Sequence, residues 1–359
     1  MTSAAVELPG AATVRAQVTA VVDRFLADKA RIAAEWGMPG EVTQCLRDFM
    51  ASGGKRLRSL LCVTGWQAAG AQGDLDPVVR VAASLEMFHA FCLIHDDIMD
   101  ESDSRRGAPT IHRRLAVRYG DDRGGPAAER AGAGAAILIG DLALAWSDEL
   151  LHTAGLTPRQ FGAVLPLIDV MRSEVVYGQY LDVTASGRPA PGVARALKTA
   201  RYKTAKYTVE RPLHIGAALA GADGALLAAL SRFALPLGEA FQLRDDLLGV
   251  FGAPATTGKP VLDDLRGGRH TVLLALAAQR ADAAQRNLLD RLVGSPDLDP
   301  DGAARVRRVL EATGARATVE AMIGARHGRA LAALEDVPLA PCSLAALRRI
   351  AAAAVERAS

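Results

Sequence analysis

Two acidic clusters are the first places where this chain could do chemistry. In HDDIMDESDSRRG (residues 95–107), Asp96 and Asp100 are four residues apart, Asp97 is adjacent, and Glu101 follows Asp97 by four. On a helix such pairs share a face, and like charges at that spacing repel by about 0.2–0.5 kcal/mol even in water. A cation is the natural reason to concentrate them. The preceding stretch, AASLEMFHAFCLI, is strongly apolar, so these carboxylates are expected to close a buried helix. In AFQLRDDLLGVFG (240–252), Asp245 and Asp246 again follow an apolar helical run, with Gln242 one turn earlier on the same side. Oxygen donors without His or Cys companions suit Mg2+, which keeps several waters and is shared between one or two carboxylates and substrate phosphates. Two such clusters suit metal ions held on either side of a polyphosphate. The plainer alternative for each is a solvated helix end or cap, with Arg105 and Arg106 as counter-charge for the first.

The complementary charge lies in SGGKRLRS (52–59), where Lys55, Arg56 and Arg58 stand behind two glycines at a point where a helix is expected to start. Free backbone N–H groups there, with basic side chains beside them, suit an anion. Further cationic or polar candidates are Lys203 and Thr204 in YKTAKYT, Lys259 in TTGKP and Arg269 in DDLRGGRHT.

The elements that position these residues are expected to be helices. The chain has 359 residues, 50% hydrophobic, 23% charged and only 4% aromatic, with formal net charge +2. Ala is abundant and β-branched runs are short, which favours helix over sheet. The balanced charge gives no global reason to expect nucleic acid as a partner. The four cysteines (Cys45, Cys62, Cys92, Cys342) form no CxxC pair, which argues against a zinc site or a disulfide framework and suits a reducing cytoplasm. The N-terminus shows no secretory pattern. AGAGAAILIGDLALAW, interrupted by Asp141, reads as a buried helix in place of a membrane span. Gly/Pro clusters cut the sequence into about a dozen helical segments between residues 12 and 351, and within them apolar residues recur mostly at three- and four-residue spacing. No low-complexity linker divides them, so one all-α domain over 1–359 is expected, with residues 1–12 flexible. The echo LKTARY, YKTAKY (197–207) is too short to be a repeat architecture.

Taken in order, GGKRLR, DDIMD followed by RRG, KTA, FQLRDD and GKPVLDDLRGGR resemble the motifs of trans-isoprenyl diphosphate synthases, most closely the bacterial geranylgeranyl/farnesyl diphosphate synthases. The match runs from Lys55 to Arg269. It implies a single large helical bundle of the isoprenoid synthase type with a central active-site cavity, a homodimer, no membrane span and no nucleic acid. It also implies Mg2+, three ions per active site. Asp96, Asp100 and Asp245 would bind the metal, and Asp97 and Asp246 would assist through water. Lys55, Arg58, His89 and Arg106 would take the diphosphate of isopentenyl diphosphate. Arg105, Lys203, Thr204, Gln242 and Lys259 would take the allylic diphosphate, with Arg269 near it. The implied reaction is head-to-tail prenyl transfer, in which Mg2+ and lysines stabilise the leaving diphosphate and an apolar tunnel shields the cation.

Two positions depart from the family pattern. Gly249 stands where a third aspartate is common, so an outer carboxylate is missing unless Asp263 or Asp264 helps. Arg269 replaces the usual lysine, which keeps the charge and changes its shape. Product length is expected to be set before the first motif by Phe91, Cys92 and Phe88. An aromatic five residues before Asp96, a small residue four before it and no insertion within DDIMD resemble enzymes that make geranylgeranyl diphosphate. Helical geometry, however, brings Cys92 and Phe88 closer to the metal-binding face than Phe91, and both phenylalanines also suit an ordinary core. Farnesyl or geranyl diphosphate synthesis is the nearest alternative, and a non-catalytic subunit of a heteromeric synthase is another. The pair His95-Asp96 also spells the signature of HD-type metal phosphohydrolases, but that reading leaves GGKRLR and RDD unexplained. A terpene cyclase would lack the basic cradle.

Overall fold

The computed structural model describes residues 10–70, 73–123, 125–185, 192–252 and 263–355. Among the described residues the chain is helical, apart from a hairpin of two-residue strands, Ser104–Arg105 (β1) and Ala108–Pro109 (β2). Packing separates it into two compact units. The first comprises residues up to Ser104, Ala108–Val164 and Pro212–Ala222, and the second Arg105–Gly107, Leu165–Arg211 and residues from Asp223 onward. The boundaries fall within or at the ends of elements.

In the first unit, α1 (Ala11–Glu35), α2 (Glu41–Ala51), α3 (Leu57–Ala68), α5 (Ile111–Arg123) and α6 (Gly125–His152) gather around α4 (Asp76–Met99). Asp76 sits in the first turn of α4 with Pro77 beside it, where a missing N–H costs nothing. Neither Gly nor Pro interrupts the remainder of α4. Leu85, Met87, Phe88 and Ile94 are all buried, and a buried side chain of that size contributes about 1.5–3 kcal/mol. The apolar stretch 131–146 lies within α6, buried on one face through Ala136, Ile139 and Ala143, while Ile137 and Leu138 are exposed. Two other helices, α4 and Gly224–Phe251, are long and apolar enough to cross a membrane by length and composition alone, and 67% of the α4 window is buried in the protein. None of the four cysteines is in a disulfide among the described residues; Cys45 and Cys62 are buried and Cys342 is exposed.

The second unit is organised on α10 (Gly224–Phe251), which starts where the Asp223 side chain accepts from Leu226 N at 2.8 Å. The larger part of α7 (Pro158–Val183) belongs here, as does α8 (Val193–Thr199). From α8 the chain enters a π-helical stretch, Ala200–Glu210, and then α9 (Arg211–Leu219), most of which lies in the first unit. Beyond α10 come α11 (Asp263–Arg266), α12 (Val272–Arg280), α13 (Ala283–Leu292), α14 (Pro300–Ala312), α15 (Ala315–Ala333) and α16 (Pro341–Val355). Leu243, Leu247, Leu265, Leu273, Val306, Leu310 and Val319 make its core. The π-helical stretch is a departure from the three- and four-residue periodicity of the other helices. Such stretches are rare and concentrate at functional sites. Two glycines admit it: a Cβ on Gly178 of α7 would strike the backbone of Lys203, and one on Gly238 of α10 would strike Ala205.

Candidate active site

In the first unit the basic loop behaves as its sequence suggests. Gly53 (φ 89°) and Gly54 (φ 137°) turn the chain, and Arg56 (φ 48°) stands at the start of α3. The guanidinium of Arg56, though, is committed to the fold: its Nη2 donates to Met50 O at 2.8 Å and its Nη1 lies 3.4 Å from Glu86. Glu86, buried on α4, also accepts from Ser59 N (3.2 Å) and Ser59 Oγ (3.0 Å). Glu86 thereby ties the start of α3 to α4. Lys55 is exposed on the loop and Arg58 is half-buried.

The first acidic cluster forms the end of α4. Asp100 caps it, Glu101 N donates to Ile98 O (3.2 Å) and Ser102 N donates to Asp97 O (2.9 Å). Paired bonds of this kind require a left-handed residue, usually glycine; here it is Glu101, at φ 50°. Asp97 is buried at 2% exposure, while Asp96 and Asp100 are half-buried. Arg106, in the β1–β2 turn, has φ 54°. Among the described residues, the non-glycine positions with positive φ are Arg56, Glu101 and Arg106. All three lie in or beside the motifs singled out from sequence, and strained backbone of this sort clusters at ligand sites.

His89 is half-buried on α4. His95 Nδ1 is 3.1 Å from Phe91 O and its Nε2 is 3.4 Å from Asp141, so both ring nitrogens have partners within the unit. The Phe91 ring lies between Phe88 (centroids 5.4 Å apart) and His95 (4.7 Å), with Phe88 2% exposed and Cys92 half-buried.

In the second unit several predicted residues come together. Thr204 Oγ1 donates to Gln242 Oε1 (2.5 Å), and Gln242 Nε2 donates to Asp246 Oδ1 (2.7 Å). Lys203 Nζ is 2.6 Å from Asp182 on α7. Desolvation, with the carboxylates of Asp264, Asp245 and Asp182 adding to it, pushes Asp246 up to about 7 against the opposing Gln242 hydrogen bond. A buried carboxyl held protonated beside other carboxylates is the kind of donor a divalent cation relieves. Among the described residues, no three His, Cys, Asp or Glu are arranged to hold a metal by themselves. Mg2+ takes few protein ligands and completes its shell with water and phosphate oxygen, so the donors fit it.

The two departures from the family pattern meet each other. A Cβ on Gly249 would collide with Oδ2 of Asp264, and Asp264 Oδ1 lies 3.6 Å from Arg269 Nε. Lys259 falls outside the described residues. Sequence reasoning missed Asp182. Its one signal is the glycine four residues earlier, Gly178, which lets α7 close onto Lys203.

The sequence profile of the polyprenyl synthetase family matches residues 39–312. This chain belongs to that family. It is 32% identical over 298 residues to the geranylfarnesyl diphosphate synthase of Aeropyrum pernix, covering 82% of this chain and 86% of that one. To the geranylgeranyl diphosphate synthase of Mycobacterium tuberculosis it is 31% identical over 291 residues, 81% of this chain and 77% of that one. A solved geranylgeranyl pyrophosphate synthase from Corynebacterium glutamicum, in complex with isoprenyl diphosphate and magnesium, superposes with a TM-score of 0.91 at 40% identity, covering 95% and 98% of the two chains. The polyprenyl synthetase is therefore an all-α prenyltransferase, as the motifs implied, and its family works with divalent metal.

Proposed function

We propose that this polyprenyl synthetase condenses isopentenyl diphosphate with allylic diphosphates and stops at geranylgeranyl diphosphate. The observation that carries the reading is the polar chain Thr204–Gln242–Asp246 beside the Lys203–Asp182 pair, which sets cation, hydroxyl, amide and metal-seeking carboxylates together in one unit. Asp96, Asp100 and Asp245 are the proposed Mg2+ ligands, three ions per active site, with Asp97 and Asp246 assisting through water. When bound, Mg2+ supplies Lewis-acid neutralisation of the leaving diphosphate.

Lys203 and Lys259, with Arg105, Thr204, Gln242 and Arg269, hold the allylic diphosphate and stabilise charge on its oxygen as the C1–O bond breaks. Lys55, Arg58, His89 and Arg106 orient isopentenyl diphosphate. Its double bond attacks the allylic cation, the new C–C bond forms, and the proton lost goes to a diphosphate oxygen. Phe91, Cys92 and Phe88 set the length. Asp264, filling the space beside Gly249 and paired with Arg269, supplies the carboxylate that position 249 lacks.

We assign the protein to the cytoplasm, as one prenyl synthase domain, and to a homodimer. Support for the dimer comes from an exposed stripe on α7, Val170, Val176, Tyr177, Tyr180 and Val183, recurring at helical spacing. Light scattering on the full chain tests it, and a monomer mass would refute it. The function is tested with purified protein, Mg2+, isopentenyl diphosphate and each of the dimethylallyl, geranyl and farnesyl primers, with products sized by chromatography. Absence of any condensation would leave the non-catalytic subunit as the better reading.

A further inference from the structure

Four charged side chains lie inside the second unit at the C-terminal end of the π-helical stretch. Arg211 forks onto Glu174 of α7 (Nε 2.7 Å, Nη2 2.8 Å). Lys206 Nζ reaches Glu174 (2.8 Å) and Glu210 (3.2 Å), and Ser231 Oγ of α10 donates to Glu210 at 2.7 Å. All four charged side chains are at most 15% exposed. Burial pushes the Glu174 carboxyl up, yet the hydrogen bonds from Arg211 and Lys206 hold it below the usual carboxylate range. Two anions and two cations balance, and each is multiply bonded. Such a cluster contributes little net stability over apolar packing.

What it can fix is the π-helix. Lys203 and Thr204 stand in the same stretch, one held by Asp182 of α7 and the other by Gln242 of α10. Glu174 lies two turns before Asp182 on one face of α7, and Ser231 lies three turns before Gln242 on α10. The stretch is therefore pinned at both ends by the same two helices. Relaxing to α-helix would shift the register by a residue, turning Lys203 and Thr204 by about 100° away from their partners.

We propose that Glu174 and Arg211 are positioning residues for the allylic diphosphate, setting the π-helical register that presents Lys203 and Thr204. The inference rests on the assignment of those two residues to the allylic site. Glu174→Gln keeps the shape and removes the charge. It is expected to raise the allylic KM by about tenfold while the KM for isopentenyl diphosphate stays within about twofold, a cost below the roughly hundredfold that a full ångström of misplacement can carry. Arg211→Lys, keeping charge and losing the fork, and Ser231→Ala are expected to shift the same KM in the same direction by less. These two milder variants carry the test if Glu174→Gln does not fold. Unchanged allylic KM in folded variants, or equal rises in both KM values, would overturn the proposal. No condensation by the unaltered protein would instead defeat the functional assignment on which it rests.

Discussion

The carboxylate of Asp264 occupies the space that a side chain at position 249 would fill. Gly249 follows Asp245 by four residues on α10, so Asp264 adds a carboxylate to the row from a different element. Gly249→Ala evicts it and Asp264→Asn neutralises it. Each should raise the Mg2+ concentration for half-maximal thermal stabilisation, in the presence of inorganic diphosphate, by about tenfold, the usual cost of losing an outer-shell partner. Asp245→Asn should raise it further. No shift in the first two alongside a clear shift in the third would remove Asp264 from the metal site.

Asp246 predicts a pH dependence. The folded, metal-free protein keeps this carboxyl protonated up to about 7, whereas in the unfolded chain it ionises in the ordinary carboxylate range. Between those values the folded state binds the extra proton, so this group's contribution to metal-free stability falls as pH rises toward 7. Metal binding must displace that proton. The rise in Tm produced by Mg2+ is therefore expected to be larger at pH 8 than at pH 6, and Asp246→Asn should flatten the difference.

Asp182 raises Asp246 through like charge while neutralising Lys203. Asp182→Asn should move the midpoint of that pH dependence downward and weaken the allylic diphosphate together. A midpoint that stays in place or moves upward would separate the two carboxylates.

For product length, Phe91→Ala is a cleaner probe than Phe88→Ala. Phe88 is 2% exposed, and truncating a buried phenylalanine costs about 3–5 kcal/mol. Phe91→Ala is expected to yield chains longer than geranylgeranyl diphosphate from labelled isopentenyl diphosphate. An unaltered product distribution in both variants would place the floor elsewhere.

Glu101 holds a left-handed conformation that costs a non-glycine residue about 1–2 kcal/mol. Glu101→Gly should stabilise the chain by about 1 kcal/mol, a rise in Tm of about 2 °C by calorimetry. A fall in Tm would show that the Glu101 side chain contributes more than its backbone costs.

Parts of this site were legible in the amino-acid order because their charges cluster. Asp96, Asp97 and Asp100 announce themselves against an apolar helix, and two glycines mark the loop before Arg58. Gln242 and Asp246 are one helical turn apart, and the predicted shared face is the hydrogen bond observed. Asp182, Glu174 and Arg211 were not legible, because single charges spaced along helices look like solvated positions until a neighbouring helix is placed. The π-helical register has no periodic signature comparable to the four-residue stripe. The role of Gly249 was half visible: its departure from the aspartate pattern stood out, and Asp264 was already a candidate substitute. That a vacancy at 249 admits the Asp264 carboxylate depends on α11 folding back against α10, a contact no local rule supplies.

Helix α7 carries two unlike faces. Glu174, Gly178 and Asp182 hold the π-helical stretch, while Val176, Tyr177 and Tyr180 point outward at 56%, 70% and 65% exposure. A rigid rod gripped on one side and leaned on from the other transmits small displacements along its length. A copy of the chain that covered the tyrosine face would touch the same helix that holds Lys203 through Asp182, and specific activity that varies with protein concentration is the measurement that would register it.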